Sequence, residues 1–375
     1  MTDVNLRVSR AHMLGAMLLI AAIAIGCSGP SPTAAPPSGV PATSPSPTTA
    51  SAAPRDVVLM THDSFALSDA VIDKFQQQTG FALRVLRAGD AGAMVNQAIL
   101  SRSHPLGDVL FGVDNTFLSR ALEQGIFEPY ASPALGRVPA EFQLDPQGRV
   151  TPIDYGDVCL NVDKTFRASQ FGPGALEDLT KPAYKGELVV ENPATSSPGL
   201  AFMLATIARF GESGDPGWLD YWAQLRANDV LVSPSWNDAY ETQFSAGPGK
   251  GPRRIVVSYA SSPPAEVYYA NPPISEPPSA VVLDGCFRQV EFAGVLAGAA
   301  NPQGAHAFID FLLSPEAQAD VPLQMFVFPA VNATPLPDVF SRFAAVPAHP
   351  LSLDPTAIEK NRDRWIDEWT KVVLR

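Results

Sequence analysis

From residue 56 onward, short apolar runs alternate with stretches whose apolar residues recur at helical spacing. Residues 57–60 read as a strand, and Ser68 caps a helix with Val71, Ile72 and Phe75 on one face and Gly80 as its stop. Residues 81–86 predict a second strand, and Met94, Val95, Ala98 and Ile99 the next helical stripe. A strand at 108–111 and a helix at 117–122, ending at Gly125, complete this series. Residues 150–162 read as extended. A second series places strands at 188–190, 230–232 and 255–258, with helices at 201–210, 218–226 and 238–244 between them. Residues 281–283 and 289–295 are again extended, and the chain from 302 is mainly helical. The order predicts an α/β protein with two lobes joined by two extended crossings.

The polar residues that stand out follow the strands, where ligands bind in open α/β sheets. Thr61-His62-Asp63-Ser64-Phe65, Ala88-Gly89-Asp90-Ala91-Gly92 and Gly112-Val113-Asp114-Asn115 do so in the first series. In the second series the matching runs are residues 191–199, which include Ser196 and Ser197, and Ser258-Tyr259-Ala260-Ser261-Ser262. Helix capping accounts for any one of these runs. Five together, two of them rich in hydroxyls, point to a ligand site with N–H groups at helix starts.

The first 55 residues lack this alternation. Arg7 and Arg10 precede an apolar run from 13 to 25 that is short for a bilayer span, so residues 1–26 read as an export signal. Ala24-Ile25-Gly26-Cys27 resembles a bacterial lipobox, which would make Cys27 the lipidated N-terminus; an ordinary signal peptide that happens to contain a cysteine is the alternative. Residues 28–54 hold eight prolines and no charge, which predicts an extended tether over 27–55. At 3.1 Å per residue it reaches up to about 80 Å. The expected location is the outer face of the cytoplasmic membrane.

Removing residues 1–26, net +1, takes the formal charge from −12 to −13. An acidic surface disfavours nucleic acid as a partner and mildly favours a cationic ligand. Beyond Cys27 the cysteines are Cys159 and Cys286, neither in a metal or redox spacing; in an oxidising compartment they predict a structural disulfide, with two buried thiols as the alternative.

The runs around Asp63, Asp114, Asp154-Tyr155-Gly156, residues 192–200, Trp236-Asn237-Asp238-Ala239-Tyr240, Ser258-Tyr259 and Trp365-Ile366-Asp367-Glu368-Trp369 together resemble the periplasmic thiamine-binding proteins of ABC importers. The resemblance extends from about 56 to 375. It implies the two-lobed class II solute-binding fold, with residues 56–153 plus 290–375 as one lobe and 154–289 as the other. It also implies a monomeric, non-enzymatic protein that captures thiamine or its phosphates for a permease and ATPase, without a cofactor or metal. Asp90 and Ala91, Ser196 and Ser197 at the phosphate end, Trp236, and the loop Tyr259, Ala260, Ser261 and Ser262 match the family's ligand contacts. His62 stands where relatives have Tyr. Ala265 falls near a second family Tyr, which Tyr268 or Tyr269 would replace.

The chemistry of such a ligand suits these residue types. Thiamine is a cation with two flat rings, so Trp236, Tyr240 and Tyr259 supply faces, and Asp63, Asp90 or Asp114 supply carboxylates. For Trp236 a core position is the alternative, and for Asp114 a helix N-cap. Trp365 and Trp369 share a helical face and read as packing. The rival within the same fold is an iron(III)-binding protein using Tyr268 and Tyr269 with Glu266 or His62. No GxSxG or HExxH run is present, which disfavours an enzyme.

Overall fold

The computed structural model describes residues 55–166 and 172–375, so the expected signal, Cys27 and tether lie outside the described residues. The chain opens with β1 (Asp56–Thr61), α1 (Asp69–Thr79), β2 (Ala82–Arg87), α2 (Ala91–Leu100), β3 (Val109–Asp114), α3 (Leu118–Glu123) and the short β4 (Phe127–Glu128). Next come β5 (Thr151–Asp163), α4 (Lys164–Phe166), β6 (Leu188–Glu191), α5 (Ser197–Phe210), α6 (Trp218–Ala227) and β7 (Leu231–Ser233). A π-helical turn over Asp238–Gln243 leads to β8 (Ile255–Tyr259), α7 (Pro263–Tyr268) and β9 (Ser279–Leu296). The tail holds α8 (Pro302–Leu312), α9 (Pro315–Gln324), β10 (Phe328–Pro329), α10 (Asp338–Phe343) and α11 (Pro355–Val373).

The strand order β2-β1-β3-β9-β5-β8-β6-β7 divides into two parallel sets flanking two long antiparallel strands. In the first set β1 runs parallel to β2 and β3; in the second, β6 runs parallel to β7 and β8. β9 pairs through its C-terminal part with β3, and β5 through its C-terminal part with β8. The two long strands therefore serve both sets and form the expected crossings of a two-lobed α/β fold.

The two stretches expected to be extended, residues 281–283 and 289–295, are so and belong to a single strand, which carries a register shift: Val158 faces Phe287, but Leu160 faces Val282. The extra residues on β9 form a bulge in which Gly285 takes φ +82°, a left-handed conformation suited to glycine. At this bulge the Cys159–Cys286 disulfide closes, with S–S 2.02 Å.

Helices cover the sheet through buried aromatic rings. Phe75 of α1 meets Phe308 and Phe311 of α8 at 5.1 and 5.3 Å between centroids. Burying a ring of this size contributes roughly 1.5–3 kcal/mol. Trp365 and Trp369 are buried as packing residues, Trp369 lying edge-on to Trp222 of α6 at 5.4 Å. Helix α11 also reaches α3 through Arg120 and Asp363, 3.6 Å apart, so the tail touches elements from both sets.

Candidate functional site

A cavity of about 780 Å³ opens between the two parallel sets, walled by the loops that follow their strands. Asp90 ends the loop after β2 and caps α2: its Oδ1 accepts from Ala91 N at 2.7 Å, while Oδ2 accepts from Trp236 N at 2.9 Å, across the cavity on the loop after β7. Two further contacts cross at this edge: the Ser64 hydroxyl donates to Asn237 Oδ1 at 2.8 Å, and Ala93 N donates to Thr195 O at 3.2 Å. Gly92 permits the approach, because a Cβ there would lie 2.8 Å from the Thr195 carbonyl.

Trp236, Tyr240 and Tyr259 form an aromatic wall. Trp236 stacks on Tyr240 at 5.0 Å and 12° and meets Tyr259 at 6.5 Å and 62°. The indole Nε1 donates to Ser258 Oγ at 2.9 Å, and that oxygen lies 2.9 Å from Ser262 Oγ. The Tyr240 hydroxyl donates to Glu266 Oε1 at 2.7 Å; the Tyr259 hydroxyl donates to Gln289 Oε1 at 3.2 Å. The Tyr259 ring rests on Gly156 of β5, where a Cβ would come within 2.9 Å of it. Burial raises both phenols well above the usual tyrosine range, keeping them neutral donors.

At the floor, His62 Nε2 lies 3.3 Å from Glu291 Oε1. Burial works against the imidazolium, but the charge and hydrogen bonding of Glu291, with Asp90 and Asp63 beyond, outweigh it and raise the His62 pKa. Burial raises Glu291 in turn, yet His62 and Asp154 bring it below the ordinary value, and Asp154, buried beside it, is pushed well up. Asp154 and Glu291 face each other across β5 and β9. Burial likewise raises Asp90, against the N–H groups of Trp236 and Ala91.

The structure brings Asp63, Asp90, Ala91, Ser197, Trp236, Tyr240, Tyr259 and Ser262 to the cavity wall. Ser196, Ala260, Ser261 and Asp114 stand behind it, fully buried. Asp114 Oδ1 accepts from Thr116 N at 2.6 Å and Phe117 N at 3.3 Å, closing an Asx turn at the end of β3; the N-cap of α3 itself is Phe117, which makes no side-chain cap bond. Ala260 packs on the disulfide. Each Asp90 oxygen accepts one backbone N–H bond, which positions the carboxylate on the wall and leaves a further acceptor position on each oxygen.

Sequence reasoning missed Glu291, Arg87, Lys250 and Phe326 as wall residues. Glu291 carried a signal: it interrupts the apolar run Val290–Phe292 of a buried strand. Of the tyrosine pair, Tyr269 lines the cavity and Tyr268 does not. Among the described residues, no group of three or more His, Cys, Asp and Glu is placed to hold a metal ion.

Comparison with known proteins agrees with this architecture. The sequence profile of the bacterial extracellular solute-binding protein family matches residues 104–347. The thiamine-binding periplasmic protein of Escherichia coli K12 is 28% identical over 85% of this chain and 94% of its own. Among solved structures, a periplasmic thiamin binding protein superposes with TM-score 0.75 at 24% identity, covering 87% of this chain and 98% of that one. Iron-bound HitA from Pseudomonas aeruginosa gives 0.68 at 20% identity, over 85% and 99%.

Proposed function

We propose, since the chain belongs to the bacterial extracellular solute-binding protein family, that its solute is thiamine or a thiamine phosphate, handed to the permease and ATPase of an ABC importer. The observation that carries this reading is the pairing of an aromatic wall, Trp236, Tyr240 and Tyr259, with the carboxylates of Asp63 and Glu291 in one cavity. Flat cationic rings gain about 0.5–2 kcal/mol from each desolvated aromatic face. Ser197, at the start of α5, and Ser262 supply hydroxyls for the ligand's polar arm. The name of the Escherichia coli relative supports the same ligand. In this reading residues 56–153 plus 290–375 and residues 154–289 are the lobes that close on it, and Cys27 carries the lipid that holds the monomer at the membrane.

The test is a calorimetric titration with thiamine, its monophosphate and its diphosphate. One-to-one binding of at least one of them is expected, with the ligand recovered intact; heat from none of the three overturns the proposal. Iron(III) is the competing solute, favoured by Tyr268-Tyr269 and by the superposition on iron-bound HitA. The tyrosine rings lie 5.1 Å apart, but Glu266 is bound to Tyr240 and Ser279, and His62 sits against Glu291. A chelator-sensitive visible absorbance on adding ferric citrate would reverse the choice.

A further inference from the structure

We propose that His62 and Glu291 select the ligand's charge by exchange: a fixed positive charge seated beside Glu291 replaces the imidazolium, and binding expels the His62 proton. This rests on the cationic-ligand reading above. Both residues line the cavity with side chains 12% and 11% exposed, Nε2 and Oε1 standing 3.3 Å apart. The ring has no retreat toward β3, because even a Cβ on Gly112 would come within 2.1 Å of it, and Phe111 closes that side at 5.8 Å.

The charged groups around the imidazole are acidic. Asp63 adjoins it, Asp90 faces it from the start of α2, Glu291 from β9, and Asp154 of β5 and Asp114 of β3 act on Glu291 from behind. Of the cavity's cations, Arg87 is tied to the carbonyls of Asp63 and Phe65, and Lys250 sits on the loop after the π-helical turn, its Nζ 3.4 Å from Ala246 O. The proton on His62 balances this wall, consistent with its raised pKa. A thiazolium-type ring brings a permanent charge to the same carboxylate, and two cations at contact distance repel in a low-dielectric site. The proton is the one that can leave. A neutral ligand offers no such replacement and leaves the imidazolium in place.

Titration of the full-length protein with thiamine in two buffers of different ionisation heat, between pH 6 and 8, reads the exchange. Up to one proton released per ligand is expected, with affinity tightening as pH rises, at most about tenfold per unit. His62→Gln and His62→Tyr lose both the release and the slope. Thiamine binding without proton release in the unaltered protein overturns the exchange alone, as does proton uptake. Release that survives in both variants assigns the proton to one of the buried carboxyls around the cavity, Asp90, Asp114, Asp154 or Glu191, and also overturns it. No thiamine binding at any pH defeats the ligand reading, and this inference with it.

Discussion

At the scale of single residues, the structure separates contact from support. Trp236 is held by Ser258 at its Nε1 and by Tyr240 on one face, so a ligand meets a ring that is already positioned. Trp236→Ala should weaken thiamine binding by about 1–3 kcal/mol with cooperative melting retained; unchanged affinity in a folded variant would return the ring to a core role. Asp114 is support. Burial raises its pKa from 3.8 to about 6, against hydrogen bonds from Ser197 and Thr116. The folded state therefore holds the proton more tightly than the unfolded chain, and the residue's contribution to stability is complete at low pH and lost as pH climbs through 6. Asp114→Asn keeps the turn acceptor but not the titration. Unfolding at pH 5 and 7.5 should show the variant gaining on the parent by about 1.4 kcal/mol at the higher pH. Equal pH dependence in both would mean that Asp114 stays charged throughout. Residue types at strand ends were enough to point to Trp236 and Tyr259. They were not enough to tell Asp114 from Asp63, since both follow strands and only burial distinguishes a turn from a wall.

At the scale of elements, close approach of backbones matters more than side-chain chemistry. Gly92 begins α2 where it meets the Thr195 loop, and a methyl group there meets backbone 2.8 Å away and Phe117 Cζ at 2.7 Å. Gly92→Ala should improve the isolated helix by up to about 1 kcal/mol while costing about 1–3 kcal/mol of ligand affinity, because the Phe117 ring can swing aside whereas the clash with the Thr195 backbone remains whenever the loops meet. Parallel losses of melting temperature and affinity would instead place the damage within the first set, at Phe117. The Cys159–Cys286 bridge spans 127 residues and pins the β9 bulge to β5. Replacing both cysteines with alanine should remove roughly 2–4 kcal/mol of stability. Two alkylatable thiols in the exported protein would sink the pairing. The inner strands β1, β3, β6 and β8 were legible because apolar runs fit buried parallel strands. Helix α7 was not, because Pro263 and Pro264 read as breakers, yet they occupy the first helical turn, where no N–H partner is needed. The continuity of β9 was hidden by Asp284-Gly285, which looks like a turn and is a bulge.

At the scale of the molecule, the contacts from Asp90 to Trp236, Ser64 to Asn237 and Ala93 to Thr195 join the two parallel sets along one edge of the cavity, while among the described strands β5 and β9 run between them. Such an arrangement shifts between open and closed states by bending at the crossings, and a ligand favours the closed state only through contacts that require both sides. The wall residues meet that condition: Asp63 and His62 come from the first set, Tyr259 and Ser197 from the second. Thiamine should therefore make the protein more compact in small-angle scattering and raise its stability by about 2.7 kcal/mol when free ligand is 100 times the dissociation constant. Oxythiamine is the informative control, since it lacks the amino group that a cavity carboxylate accepts. Weaker stabilisation by oxythiamine assigns that contact to one of the wall acids, Asp63, Asp90, Glu241, Glu266 or Glu291. Equal stabilisation by the two compounds means that the rings and the fixed charge alone are read, and no change in compactness or melting with thiamine means that closure is driven by another solute.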